Sequence, residues 1–79
     1  MRILFFAQLK DATGQSEVEW AGAGSMSAEA LWARLLSEFP ALARHRPSVR
    51  LARNGAYAGP EEIFKDNDEA ALIPPVSGG

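Results

Sequence analysis

The 79-residue sequence closes on Gly78-Gly79, behind Pro74-Pro75-Val76-Ser77. Two glycines add nothing to a core, and they cost the most chain entropy to order. What they offer is access. With no side chain in the way, the backbone and its terminal carboxylate can enter a narrow channel in another protein. Pro74 and Pro75 each lack an N–H and have a fixed φ, so neither can continue a central strand. They turn the apolar run Ala70-Ala71-Leu72-Ile73 into a stiff, extended exit. At about 3.1–3.3 Å per residue, residues 74–79 reach roughly 20 Å from the domain. An arbitrary Gly-Gly end reads as an unstructured terminus. The proline pair, the strand before it and the small size of the chain favour a working tail. Residues 76–79 are expected to move freely in the isolated chain and to order only inside a partner.

The other candidate motifs fail on spacing. His45 is the only histidine and lies between Arg44 and Arg46. No Ser, Asp or Glu is obviously placed to complete a triad with it, and general acid–base work needs a positioned partner. Asp66-Asn67-Asp68 opens like a calcium loop, but the sixth and twelfth positions are Ala71 and Ser77, where Gly and Glu are required. Gly22-Ala23-Gly24 opens like a dinucleotide fingerprint, but Ser27 stands where the third glycine belongs. Trp32 and Phe39 sit on a helical stripe and read as core. There is no cysteine, hence no disulfide, thiol nucleophile or thiolate metal site. No cofactor or metal is indicated, and no catalytic side chain.

The terminal carboxylate is what remains. A carboxylate is a poor electrophile. Adenylation by a partner makes it a mixed anhydride with a good leaving group. A sulfur nucleophile can then displace the adenylate and leave a thiocarboxylate on Gly79. The chain would carry reactive sulfur while having no thiol of its own.

Composition sets the class. The length is that of one domain. A chain this short buries only about 60% of its unfolded surface, so its stability is modest and a deep cleft has little room. The apolar fraction is 47% and the net charge is −2, with Lys and Arg scattered. Such a chain is globular, and nucleic acid is not its expected main partner. No run approaches the ~18 apolar residues of a membrane span. The opening Met1-Arg2-Ile3-Leu4-Phe5-Phe6 is too short for a signal peptide, so the expected compartment is the cytoplasm.

The elements that must position the tail follow from periodicity. Ile3-Leu4-Phe5-Phe6 is a continuous apolar run, expected as a strand covered on both faces. Residues 11–15 carry turn chemistry, with Gly14 free to take positive φ. Ser16-Glu17-Val18-Glu19-Trp20 alternates and is expected to form a hairpin with the first strand. Residues 21–25 read as a loop. Ala28, Leu31, Trp32, Leu35, Leu36 and Phe39 trace one face of a helix that opens at Ser27 and stops before Pro40. Residues 41–48 read as a connector with a basic cluster, Arg44-His45-Arg46. Residues 49–53 alternate as a third strand. Asn54-Gly55 marks a hairpin, and Tyr57-Ala58 a short return. Residues 59–62 read as a turn that can open one helical turn, and 66–69 as a polar turn. Residues 70–73 form the last strand. The expected fold class is α+β, a mixed sheet of four to five strands on one main helix. The domain covers residues 1–73 and the tail 74–79.

Two stretches together resemble the small, sulfur-carrying subunit of molybdopterin synthase, a relative of the thiazole sulfur carrier and of ubiquitin. One is Ile3-Leu4-Phe5-Phe6-Ala7-Gln8-Leu9-Lys10 with Gly14. The other is the ending, from Asp66-Asn67-Asp68-Glu69 through the last strand to Pro74-Pro75-Val76-Ser77-Gly78-Gly79. The resemblance implies a ubiquitin-like β-grasp fold and a cytoplasmic complex with the large synthase subunit, two copies of each. It implies that the tail enters the large subunit and gives sulfur to cyclic pyranopterin monophosphate. It also implies an ATP-dependent adenylating enzyme acting on Gly79, and a sulfurtransferase. Partner contacts are implied at Phe6, Lys10, Ile73, Pro74, Pro75, Val76, Ser77 and Gly78. The family often has Gly-Asp where this chain has Asn67-Asp68. Asn tolerates the left-handed region, so the turn is expected to survive. Three other readings stay open: a carrier for thiazole synthesis, a protein modifier forming isopeptide bonds through Gly79, and an interaction module with an inert tail.

Overall fold

The computed structural model describes residues 1–75. Strand β1 runs Arg2–Phe5 and pairs antiparallel with β2, Glu17–Glu19, with Ile3 opposite Val18. On its other side β1 pairs parallel with the last strand, which is flanked in turn by an antiparallel hairpin. We number the elements in chain order: β3 is Met26–Ser27, β4 Arg50–Arg53, β5 Ala56–Tyr57, β6 Ile63–Phe64 and β7 Glu69–Ile73. The main sheet has the order β2-β1-β7-β4-β5, so the final strand lies in the middle. The hairpin between β4 and β5 turns at Asn54 and Gly55, with φ of 50° and 86°. Two positive φ values are what a two-residue turn matched to strand twist requires, and Asn-Gly supplies them at least cost.

One main helix, α2, Ala28–Glu38, crosses one face of this sheet. Ser27 caps it, its hydroxyl accepting from the Ala30 N–H at 3.1 Å. Leu31, Trp32 and Leu35 are buried against Ile3, Phe5, Leu51, Ala70 and Leu72 of the strands. Phe39 ends the helix and meets Phe5 edge to face, ring centroids 5.4 Å apart. Pro40 opens a 3₁₀ turn, Pro40–Arg44, and a second follows at Arg46–Ser48. The first drops Leu42 into the core.

Three expectations are corrected. The segment after β1 is a short helix, α1, Gln8–Thr13, and not only a turn. It is too short to show periodicity, and it is held by burial of Leu9 and by Gly14 in the left-handed conformation at its end. A second ladder, β3 with β6, escaped notice because two-residue strands carry no local pattern. Residues 59–62 form a turn, with the Glu62 N–H on the Gly59 carbonyl at 3.1 Å, and no helical turn. The two faces of β1 separate as strand alternation expects: Ile3 and Phe5 are buried under the helix, while Leu4 is half-buried and Phe6 exposed on the other side. The whole is a β-grasp, a mixed five-stranded sheet wrapped on one principal helix.

Candidate docking face and tail exit

The tail leaves the domain from the centre of the sheet. β7 is held by β1 on one side, Phe5 opposite Leu72, and by β4 on the other, Leu51 opposite Leu72 and Arg50 opposite Ile73. Side chains alternate along the strand. Ala70 and Leu72 point to the helix and are fully buried, while Ala71 and Ile73 turn to the uncovered face. Leu72 faces the core and Ile73 the open side, as the alternation predicts.

Across that face the strands set one apolar patch. Leu4 and Phe6 come from β1 and its end, Ala71 and Ile73 from β7, Ala52 from β4 and Tyr57 from β5, around a shallow groove of about 370 Å³. Phe6 is 43% exposed and Tyr57 62%. Together they leave a contiguous apolar patch open to water on a small domain. Phe6 is aimed by its backbone. Ala7 has φ 51° and ψ −129°, a region that favours glycine, and the Phe6 carbonyl accepts from the Leu9 N–H at 2.9 Å to start α1.

The opposite end of β7 is tied down. Asp68 accepts from the Arg53 guanidinium, from the Asn54 side-chain amide at 3.0 Å and from the Lys65 N–H at 2.7 Å. Asn54 returns a bond, its carbonyl oxygen accepting from the Glu69 N–H at 2.9 Å. These partners, the Asn54 amide first, pull the Asp68 carboxyl down to about 2. Arg53 also holds Glu62 at 2.8 Å. The acidic turn therefore survives, but not for the reason expected. Asn67 is not left-handed; among the described residues only Ala7 and Asn54 carry positive φ without being glycine. The turn closes through the Asp68 N–H on the Lys65 carbonyl.

Of the partner-contact residues expected from the sequence, the structure gathers Phe6 and Ile73 on the open face. Pro74 is half-buried and Pro75 exposed where the chain leaves β7. Lys10 is exposed on α1, outside the groove. Val76, Ser77, Gly78 and Gly79 lie outside the described residues. The sequence reading missed Ala52, Ala71 and Tyr57 as members of the face. Tyr57 had a signal, since a large ring on a two-residue edge strand has no helix to cover it. Among the described residues no group of three His, Cys, Asp or Glu side chains stands together as a metal site, and no helix is long and apolar enough to cross a membrane.

Known proteins share this sequence and shape. The chain is 33% identical over 81 residues to the molybdopterin synthase sulfur carrier subunit of Chlamydomonas reinhardtii, covering 100% of this chain and 98% of that protein. It is 32% identical over 79 residues to the protein of that name from Arabidopsis thaliana, covering 100% and 82%. Among solved structures it is similar to SAMP1 from Haloferax volcanii, with TM-score 0.83 and 31% identity over 100% of this chain and 98% of that one. It also shares the fold of a chain in the complex of subunits 1 and 2 of the molybdopterin-converting factor from Helicobacter pylori, with TM-score 0.66 and 23% identity over 99% and 96%. The model of the ThiS family matches residues 3–79, from the first strand through both terminal glycines, and the chain therefore belongs to that family.

Proposed function

We propose that this chain is a sulfur carrier for molybdenum cofactor biosynthesis, acting as the small subunit of molybdopterin synthase. The carrying observation is the full-length likeness, through Gly79, to proteins named for that role. The geometry supports it: the tail issues from an anchored central strand beside an uncovered apolar face. In this reading the large synthase subunit covers that face at Phe6 and Ile73 and receives residues 74–79, with Lys10 at the periphery. Two copies of each subunit assemble in the cytoplasm.

The chemistry begins elsewhere. An ATP-dependent enzyme joins a Gly79 carboxylate oxygen to the α-phosphorus of ATP, and pyrophosphate leaves. A persulfide on a sulfurtransferase attacks the Gly79 carbonyl carbon and displaces AMP, giving an acyl disulfide. A second thiol of the sulfurtransferase or activating enzyme then attacks the enzyme-side sulfur, closing a disulfide there and releasing the Gly79 thiocarboxylate. In the large subunit that sulfur passes to cyclic pyranopterin monophosphate. This chain supplies the extended tail, the docking face and no acid or base of its own.

Intact mass after incubation with the adenylating enzyme, ATP and a sulfur donor tests the reading. Exchange of one oxygen for sulfur at Gly79 is expected, and an unchanged mass overturns it. A second reading, protein modification, draws on the likeness to SAMP1, a small archaeal modifier protein by the name of its relatives. It predicts covalent conjugates of this chain to other proteins, lost when Gly79 is deleted. A thiazole-pathway carrier gives the same mass shift but feeds a different acceptor.

A further inference from the structure

The arginines of this domain are divided by place, while Lys65, exposed and without an ion pair among the described residues, lies at the far end of β7 beside Asp68. Arg2, Arg34 and Arg53 each hold a carboxylate within 4.0 Å. Arg44, Arg46 and Arg50 are exposed, and none forms an ion pair among the described residues. All three stand at the end of the sheet where the tail leaves. Arg50 begins β4 directly opposite Ile73, and the two 3₁₀ turns that carry Arg44 and Arg46 lead into it. Lys10 joins them, because α1 follows the end of β1 and packs against the first of those turns. The paired acids gather at the far end of β7, around Asp68 and the Met1 ammonium.

Two of the unpaired guanidiniums are held in place without any anion. Arg50 lies over the Tyr57 ring at 4.6 Å, and Arg46 over the Trp32 ring at 5.4 Å. Arg46, Arg50 and Trp32 line one groove beside the apolar face; Glu29 is also there, beyond ion-pair distance of either arginine. Stacking on a ring leaves the N–H edges of a guanidinium free for carboxylates. A cation held this way has already lost much of the rotamer freedom that binding would cost.

We propose that Arg44, Arg46 and Arg50 form a basic collar around the tail exit, which docks on acidic side chains rimming the channel that receives the tail. The inference rests on the carrier reading and adds to it the charge of the partner's surface. The apolar face around Ile73 supplies burial, and the collar supplies approach and orientation. A tail that must be threaded end-first gains from this arrangement, because complementary charge raises the fraction of encounters that arrive correctly turned.

The test uses the full chain and the large molybdopterin synthase subunit of the same organism, with association followed by stopped flow across a range of salt. Replacing all three arginines, R44Q/R46Q/R50Q, is expected to lower the association rate constant about tenfold at low salt and to flatten its salt dependence, with a smaller change in dissociation. Adding R46K/R50K separates charge from stacking: if charge carries the effect, the lysines restore most of the rate. An unchanged rate and salt slope in the triple variant overturns the collar, as does loss of binding to a DNA duplex with no effect on the protein partner. Ile73→Asp is the control for the underlying reading. If it abolishes binding while the triple variant behaves as wild type, the carrier reading stands and the collar falls. If the wild-type chain does not bind, both fall.

Discussion

Leu72 and Ile73 are neighbours in sequence with opposite surroundings, and a pair of substitutions separates core from interface. Leu72 is fully buried, so Leu72→Ala removes packed methyl groups and leaves a cavity, costing about 2–5 kcal/mol. In a domain of this size each kcal/mol moves the melting temperature by about 4–8 °C, so a fall of at least about 8 °C is expected. Ile73→Asp acts differently. Aspartate is a poor strand residue, on a scale that spans about 1 kcal/mol. The introduced carboxylate, however, stands directly opposite Arg50, and a cross-strand pair of opposite charges returns roughly 0.2–1 kcal/mol. The net change in the isolated chain is within about 1 kcal/mol, a few degrees at most. Docking suffers instead. Losing a buried isoleucine at the interface forfeits about 1.5–3 kcal/mol, or at least tenfold in Kd, before the cost of stripping water from the new carboxylate. Ile73→Ala gives the lower bound without the charge. Thermal melts of each variant and titration calorimetry against the large synthase subunit are the measurements. A collapse in melting temperature for Ile73→Asp matching that of Leu72→Ala would refute the assignment of faces, and unweakened binding would refute the docking surface.

Deleting Gly79, or adding one residue after it, is expected to abolish sulfur transfer in a reconstituted synthase while the melting temperature stays put; a truncated chain that still makes molybdopterin would disprove the carrier mechanism. Ala7→Gly relieves a backbone at φ 51° that costs an alanine about 1 kcal/mol or more, so it should raise the melting temperature by a few degrees, and a fall would mean that the strain is not real. Asp68 links stability to acid. Its folded pKa of about 2 lies below the ordinary 3.8, so its contribution is complete above 3.8 and fades as pH falls through 2. Asp68→Asn should therefore lower the melting temperature near neutrality and show a shallower loss between about pH 5 and 2; parallel curves for the two proteins would remove Asp68 from the acid transition.

Much of this architecture was legible because its signals are local. The α2 stripe, the Ser27 cap and the Asn54-Gly55 turn each lie within a few residues, and each appears where the pattern puts it. What escaped depends on distance. β3 finds β6 far along the chain, Met26 opposite Phe64 and Ser27 opposite Ile63, and nothing in either pair of residues announces the other. α1 is stabilised by the burial of one leucine and by a glycine, too little for a periodic signal. The two-sided apolar run in β1 was legible as composition. The sheet order adds which neighbours share its open side, Ala71 and Ile73 of β7 and Ala52 of β4. The arginine collar was visible merely as a cluster at residues 44–46. Arg50 joins it through a strand register that no short window contains.

The central place of β7 makes the domain a ruler. An edge strand can peel away and lengthen whatever hangs from it. A strand bonded on both sides cannot do so without opening the whole sheet. In the carrier reading, the six residues after Ile73 give the Gly79 carboxylate a reach of at most about 20 Å from an origin that cannot slip. Any enzyme that works on this end must then place its reacting atoms no deeper than that below its docking surface. Enzymes of unrelated chemistry that share the carrier would be held to the same upper limit. The same arrangement ties the tail to complete folding. The strand that carries it is the last part of the domain in sequence and the middle of the sheet in space, so a chain with an unfinished sheet has no anchored tail to present.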